Sequence, residues 1–277
     1  MVEPIGGART QQCKFVITNP PVWSSLGLPM PRSPSAADPA DTSLRQQVYA
    51  SLREALTAGR FAPGQKVTFR YVAGVLGVSL TPVREALRRL VAEGALEMQP
   101  NRSVRVPLMT RAKVLELRDM RMALEGLAAE KAALAAGREQ IAVIRRAAHE
   151  IVAARNRGDG VTDRQKVREF HFAIYAAAGQ PTLLRTIEGL WLQTGPYLNL
   201  LYPDFVASPR GPAGRLRIIE ALQERDAATA GREMQQDIGR ALTYVADLAD
   251  ETGNIAPARP LPASRRRGVA GFELRAT

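Results

Sequence analysis

The chain is poor in the residues that most chemistry and most export require. It has one cysteine, Cys13, and two histidines, His149 and His171, among 277 residues. A single thiol cannot build a disulfide framework, and this usage is the one expected of a reducing cytoplasm. No uninterrupted apolar run reaches the roughly 18 residues a membrane span needs. The N-terminus lacks the basic-then-apolar order of a secretory signal. No nucleophile-plus-base arrangement and no phosphate-cradling glycine loop occurs, so an enzyme is not expected.

Acidic residues are also in deficit. Against 38 Lys/Arg stand 27 Asp/Glu, for a net charge of +11, which favours acidic partners. The excess is uneven. Residues 42–107 carry 10 Lys/Arg and 4 Asp/Glu, residues 108–251 carry 20 and 19, residues 252–277 carry 5 and 1, and residues 1–41 are balanced. A basic segment followed by a long neutral one fits a DNA reader joined to a domain that does not touch DNA.

Residues 1–41 are rich in Pro, Ser, Gly and Ala, show no period and read as a disordered extension, within which Met30 is a second candidate start. A helix is expected from Ser43, with Ser43 and Gln46 at capping-box spacing and Leu44, Val48, Leu52 and Leu56 on one face. Val72, Val75 and Leu76 mark a short second helix that stops at Gly77. Ser79 then caps a third, with Pro82 in its first turn, where a missing N–H costs nothing. In that third helix Val83, Ala86, Leu87, Leu90 and Val91 make the buried stripe, and Arg84 and Arg88 share the opposite face. Beyond Gly94 the period changes to alternation, Leu96 and Met98, then Val104 and Val106, across a turn at Pro100–Ser103. Three helices and a hairpin make a winged helix-turn-helix spanning residues 42–107, whose third helix enters the DNA major groove. The plain alternative for Arg84 and Arg88 is a solvated helix face with Glu85 paired to Arg89.

From Thr110 to Asp250 the period is helical throughout, with six expected helices at about 111–136, 138–156, 162–178, 181–199, 213–228 and 230–250. Short links imply an antiparallel bundle over 110–251. Residues 252–277, which include Arg265-Arg266-Arg267, read as a basic disordered tail. The fold class is therefore mainly α.

The run Ser79, Thr81-Pro82-Val83-Arg84-Glu85-Ala86-Leu87-Arg88-Arg89-Leu90, together with Val48-Tyr49, Pro63-Gly64, Leu76-Gly77 and Glu93-Gly94, resembles the DNA-binding domain of GntR-type bacterial transcription regulators. Arg121 to Glu125, Phe170-His171 and Ile218 to Leu222 resemble the all-helical effector domain of that family's FCD, or FadR-type, branch. The resemblance covers roughly 42–250. It implies a homodimer on a short palindromic operator in double-stranded DNA, a small-molecule effector in the bundle, and no membrane partner.

Carried over by position, the DNA-contacting residues are Arg70, Ser79, Thr81, Arg84, Arg88 and, at the wing tip, Arg102. Leu80 and Ser103 depart from the family's arginine and glycine. FCD domains commonly hold a metal with an aspartate and three histidines. Here those positions are Val167, His171, Arg215 and Asp237, a set that repels a cation, so neither metal nor other cofactor is expected. The effector residues implied are Arg121, His171, Arg215 and Asp237. Arg121 and Arg215 are read either as gripping an organic or sugar acid directly, or as internal ion pairs with Glu125 and Asp237. His171, on an apolar stripe with Val167 and Ile174, is as readily structural as functional. An acyl-type ligand and a non-specific architectural DNA binder are the alternatives.

Overall fold

The structure, a computed structural model, describes residues 39–100, 103–202, 204–207 and 214–255. The expected extension up to residue 38, the wing-tip Arg102 and the tail from residue 256 lie outside the described residues.

Helix α1 (Pro39–Thr57) begins four residues earlier than expected, so Ser43 lies inside it. Its Leu44, Val48, Leu52 and Leu56 are buried, as the spacing requires. Strand β1 (Lys66–Val67) leads into α2 (Phe69–Leu76), where Thr68 caps the start by accepting from the Tyr71 N–H, 3.2 Å. Gly77 closes α2 at φ 63°, the left-handed conformation that a residue without a Cβ adopts at little cost. Helix α3 (Leu80–Ala92) buries Val83, Ala86, Leu87 and Leu90 against α1 and α2. Ser79 holds the cap position but makes no side-chain capping bond, contrary to expectation. Strands β2 (Glu97–Met98) and β3 (Val104–Arg105) form the hairpin, and β1 joins it antiparallel on the other side of β3, a third strand that two residues of alternation cannot announce.

Strand β4 (Met109–Thr110) starts the second domain. It pairs antiparallel with β5 (Asn254–Ile255), so the chain is ordered three residues beyond the expected start of the tail. Between them lie α4 (Arg111–Ala135), α5 (Arg138–Asn156), α6 (Gly160–Ala177) and α7 (Pro181–Thr194), then a 3-10 turn (Gly195–Leu201), α8 (Asp204–Ala207), α9 (Arg215–Glu224) and α10 (Ala227–Asp247).

Two helix ends differ from expectation for identifiable reasons. The helix expected to reach 199 stops at Thr194, because Pro196 follows and the chain tightens into 3-10 geometry. The break expected at Ala230-Gly231 falls at Arg225, at φ 56°, where Asp226 caps α10 by accepting from the Thr229 N–H, 2.9 Å. Gly231 is instead a packing residue: a β-carbon there would come within 2.6 Å of the Glu130 side chain on α4. With the fully buried Ala128, Ala129, Ala132 and Ala133, it lets α4 and α10 lie close together. The bundle core fills with Phe170, Ile174, Ile187, Trp191, Ile218, Met234 and Leu242.

Candidate functional site

The first site is the outer face of α2 and α3. Arg70, Ser79, Thr81, Arg84 and Arg88 are all exposed on it. The ion pairs around α3 do not consume its two central arginines. Glu85 pairs with Arg45 of α1 at 2.9 Å, and Arg89 pairs with Glu93 at 3.0 Å, not with Glu85 as the plain reading supposed. Glu93 also accepts from the Tyr49 hydroxyl at 2.6 Å, and the Arg89 guanidinium lies 3.8 Å from the Tyr49 ring centre. Burial and the Glu93 carboxylate push the Tyr49 hydroxyl up to about 12. Both acids of the helix are thus engaged elsewhere, and Arg84 and Arg88 form no ion pair among the described residues. Leu80, at the helix start, exposes 36% of its surface.

The second site is a cavity of about 50 Å³ between the bundle helices and the end of α1. Arg121, His171, Arg215 and Asp237, the four expected effector residues, all line it. Arg121 is 1% exposed and fully engaged: Nε donates to Glu125 Oε1 at 2.5 Å, Nη2 to Glu125 Oε2 at 3.3 Å and Nη1 to Thr194 at 2.8 Å. Its guanidinium also stacks on Trp191, 4.3 Å from the ring centre. Glu125 further accepts from the Trp191 indole N–H at 3.1 Å and from the Tyr175 hydroxyl. Burial and the Glu125 charge raise that hydroxyl well above the usual tyrosine range. Of the two roles open to Arg121, the structure forms the internal ion pair.

His171 is held on both ring nitrogens, Nδ1 by Tyr175 at 2.9 Å and Nε2 by Asp237 at 3.2 Å. Asp237 also receives Arg215 Nη2 at 3.4 Å. Burial raises the Asp237 carboxyl, but Arg215 and His171 outweigh it and hold the group well below the ordinary range. Arg215 is different from Arg121. Desolvation lowers its pKa, partly offset by Asp237. Its Nε and Nη1 are buried with no hydrogen-bond partner among the described residues. A buried donor left unmade costs about 1–3 kcal/mol, so these two nitrogens favour acceptor oxygens beside them.

Three residues that sequence reasoning missed complete the wall. Arg155 bonds Asp163 at 3.1 Å, and the Tyr202 hydroxyl donates to the same carboxylate at 2.6 Å. Arg164 lies over the Tyr202 ring, 5.0 Å from its centre, and burial lowers its pKa. Arg155 and Asp163 sit on successive helices either side of a turn, eight residues apart, which no helical or strand period flags. The remaining wall is apolar, with Val167, Leu198, Phe205 and Ile238.

These residues do not suit the metal implied by the family resemblance. His171 has no free nitrogen, Val167 has no donor atom, and Asp237 is bound by a guanidinium at the point a cation would approach. Among the described residues no cluster of three His, Cys, Asp or Glu side chains stands together, and no helix is long and apolar enough to cross a membrane.

A winged helix with an outward arginine helix, joined to a helical bundle enclosing a small charged cavity, defines a DNA-binding regulator with an effector domain. Comparison with known proteins specifies the class further. The model for bacterial regulatory proteins of the gntR family matches residues 44–106, and the FCD domain model matches residues 116–240. The chain is 34% identical over 160 residues to the HTH-type transcriptional regulator McbR of Escherichia coli, covering 58% of this chain and 72% of that one. It is 27% identical over 216 residues to a probable D-xylose utilization operon transcriptional repressor of Paenarthrobacter nicotinovorans, covering 77% and 92%. The solved structure of McbR superposes with a TM-score of 0.63 at 30% identity, over 71% of this chain and 96% of that one. A putative GntR regulator from Rhodococcus shares the fold at 0.61 and 19% identity, over 73% and 97%. The chain belongs to the GntR family of bacterial regulatory proteins, with an FCD effector domain. It is a DNA-binding transcriptional regulator whose bundle is the ligand-binding part, and its function is regulation rather than catalysis.

Proposed function

We propose that this regulator binds a short palindromic operator as a homodimer in the cytoplasm, and that an organic or sugar acid in the bundle cavity changes its affinity. The observation that carries the effector reading is Arg215: a buried guanidinium with one arm on Asp237 and two donors unmet. Carboxylate oxygens are strong acceptors for a guanidinium, and because Nε and Nη1 lie on different edges of it, each takes its own oxygen. His171 and Asp237 orient Arg215, while Arg155 and Arg164 add positive charge to the same cavity. The four arginines in its lining, Arg121, Arg155, Arg164 and Arg215, favour an acid. Arg121 belongs to the scaffold of this site, since each of its three nitrogens already donates to Glu125 or Thr194.

The dimer reading rests on α4, where Met120, Ala123, Leu127 and Leu134 are exposed at helical spacing and form an apolar stripe that a second copy would cover. At the DNA, Arg84 reads a guanine through its two acceptors, Arg88 and Thr81 hold phosphate, Arg70 reaches phosphate or base, Ser79 stands beside them, and Arg102 serves the minor groove.

The test is a thermal-shift screen of the full chain against organic and sugar acids, repeated with Arg215→Ala. A ligand that raises the melting temperature of the wild type and not of the variant supports the reading. A ligand that stabilises both equally, bound elsewhere, sinks it.

A further inference from the structure

The cavity is not walled by the bundle alone. Thr57 and Ala58, at the end of α1 in the winged domain, line it together with Arg215, Arg155 and Arg164. The two domains are packed on one another at this point. Leu192 of α7 is 2% exposed and packs with the core residues of the winged domain. Gly195 lies so close to α1 that a β-carbon would come within 2.8 Å of the Thr57 Cα and closer still to the Leu56 carbonyl oxygen. The Asn199 side-chain amide donates to the Gly59 carbonyl, just past α1, and reaches the Phe61 carbonyl at 3.5 Å. Tyr197 grips the interdomain link, donating to the Pro107 carbonyl at 2.8 Å and accepting from the Met109 N–H at 2.6 Å.

The stretch from Gly195 to Tyr202 therefore has two faces. Gly195, Tyr197 and Asn199 hold the winged domain and its link, while Leu198, Leu201 and Tyr202 line the cavity. A 3-10 segment packed on both sides cannot move on one side only, because interiors at protein density have no slack. A small anion held there would meet Thr57 and Ala58 of one domain and Leu198, Leu201 and Tyr202 of the other.

Resting on the anion reading given above, we infer that the effector site is shared between the two domains: its occupancy and the seating of the winged domain on the bundle are one equilibrium, transmitted by Gly195–Tyr202. The ligand touches the DNA-binding domain directly at Thr57–Ala58, so no relay through the rest of the bundle is required. By linkage, the factor by which ligand changes operator affinity equals the factor by which operator changes ligand affinity.

The test uses the full-length protein, an operator selected by the wild type from random duplexes, and inorganic phosphate as probe at fixed ionic strength. Phosphate binding is measured by calorimetry and operator binding by titration. The wild type is expected to change its operator affinity by about five-fold or more at saturating phosphate. Asn199→Ala, which removes the latch but no cavity-lining group, is expected to bind phosphate normally while its operator response falls below about two-fold. Gly195→Ala, which forces α1 and with it Thr57–Ala58 away from the cavity, is expected to shift phosphate affinity as well as to lower the operator response. Responses in both variants equal to the wild type overturn the inference. So does phosphate that binds through Arg215, is lost in Arg215→Ala, and leaves wild-type operator affinity unmoved; that result spares the anion reading. Phosphate binding that is absent, or unaffected by Arg215→Ala, overturns the anion reading and this inference with it.

Discussion

Replacing Arg121 by Met distinguishes a structural arginine from a ligand-binding one. The substitution keeps the apolar stem and deletes three hydrogen bonds, two to Glu125 and one to Thr194, together with the stacking on Trp191. Glu125 is fully buried and keeps only the Trp191 and Tyr175 donors. Breaking a buried ion pair from one side costs about 3–5 kcal/mol, most of it the penalty of the stranded charge. At about 2–4 °C per kcal/mol for a chain of this size, the melting temperature should fall by roughly 10 °C. The double variant with Glu125→Gln strands no charge, and the amide can accept from the Trp191 indole N–H through its oxygen while its NH2 faces the Tyr175 hydroxyl oxygen, so it should recover a large part of the loss. Urea unfolding followed by Trp191 fluorescence reads both. A single variant within about 1 kcal/mol of the wild type, or a double variant less stable than the single one, would refute the assignment of Arg121 to the scaffold.

Arg84→Ala should cost about 1–3 kcal/mol of operator binding and relax selection at one base position, whereas Arg88→Ala should weaken all sequences alike and flatten the salt dependence by about one charge; binding to variant duplexes separates them. Asp237 has a depressed carboxyl, so its stabilising contribution is present above the ordinary aspartate value of 3.8 and is lost as pH falls below it. The stability gap between wild type and Asp237→Asn should therefore hold from neutral pH down to about that value and shrink beneath it; a gap that closes near neutrality contradicts the Arg215–Asp237–His171 arrangement. Treatment with a chelator should leave melting temperature and effector response unchanged, and stoichiometric zinc in the purified protein would contradict the mismatch of the donor set.

Local chemistry carried the winged domain into view. The stripe of Leu44, Val48, Leu52 and Leu56, the left-handed stop at Gly77 and the outward Arg84 and Arg88 depend on spacing within one helix or turn, and periodicity reports that directly. The same spacing placed Arg121 on a buried face, but it could not say what met it there, because Thr194 and Trp191 arrive from 73 and 70 residues away. Gly231 looked like a break and is a contact, since a glycine's reason for being small lies on the neighbouring helix. Arg155, Arg164 and Tyr202 had no signature at all. The one-dimensional order set the helices of the winged domain and which of its arginines stay on the outer face, through interactions a few residues long. Three-dimensional packing alone decided that Arg215 keeps two donors unspent, that Leu192 crosses into the other domain's core, and that the end of α1 closes the cavity, since each depends on groups brought together only when the whole chain has folded.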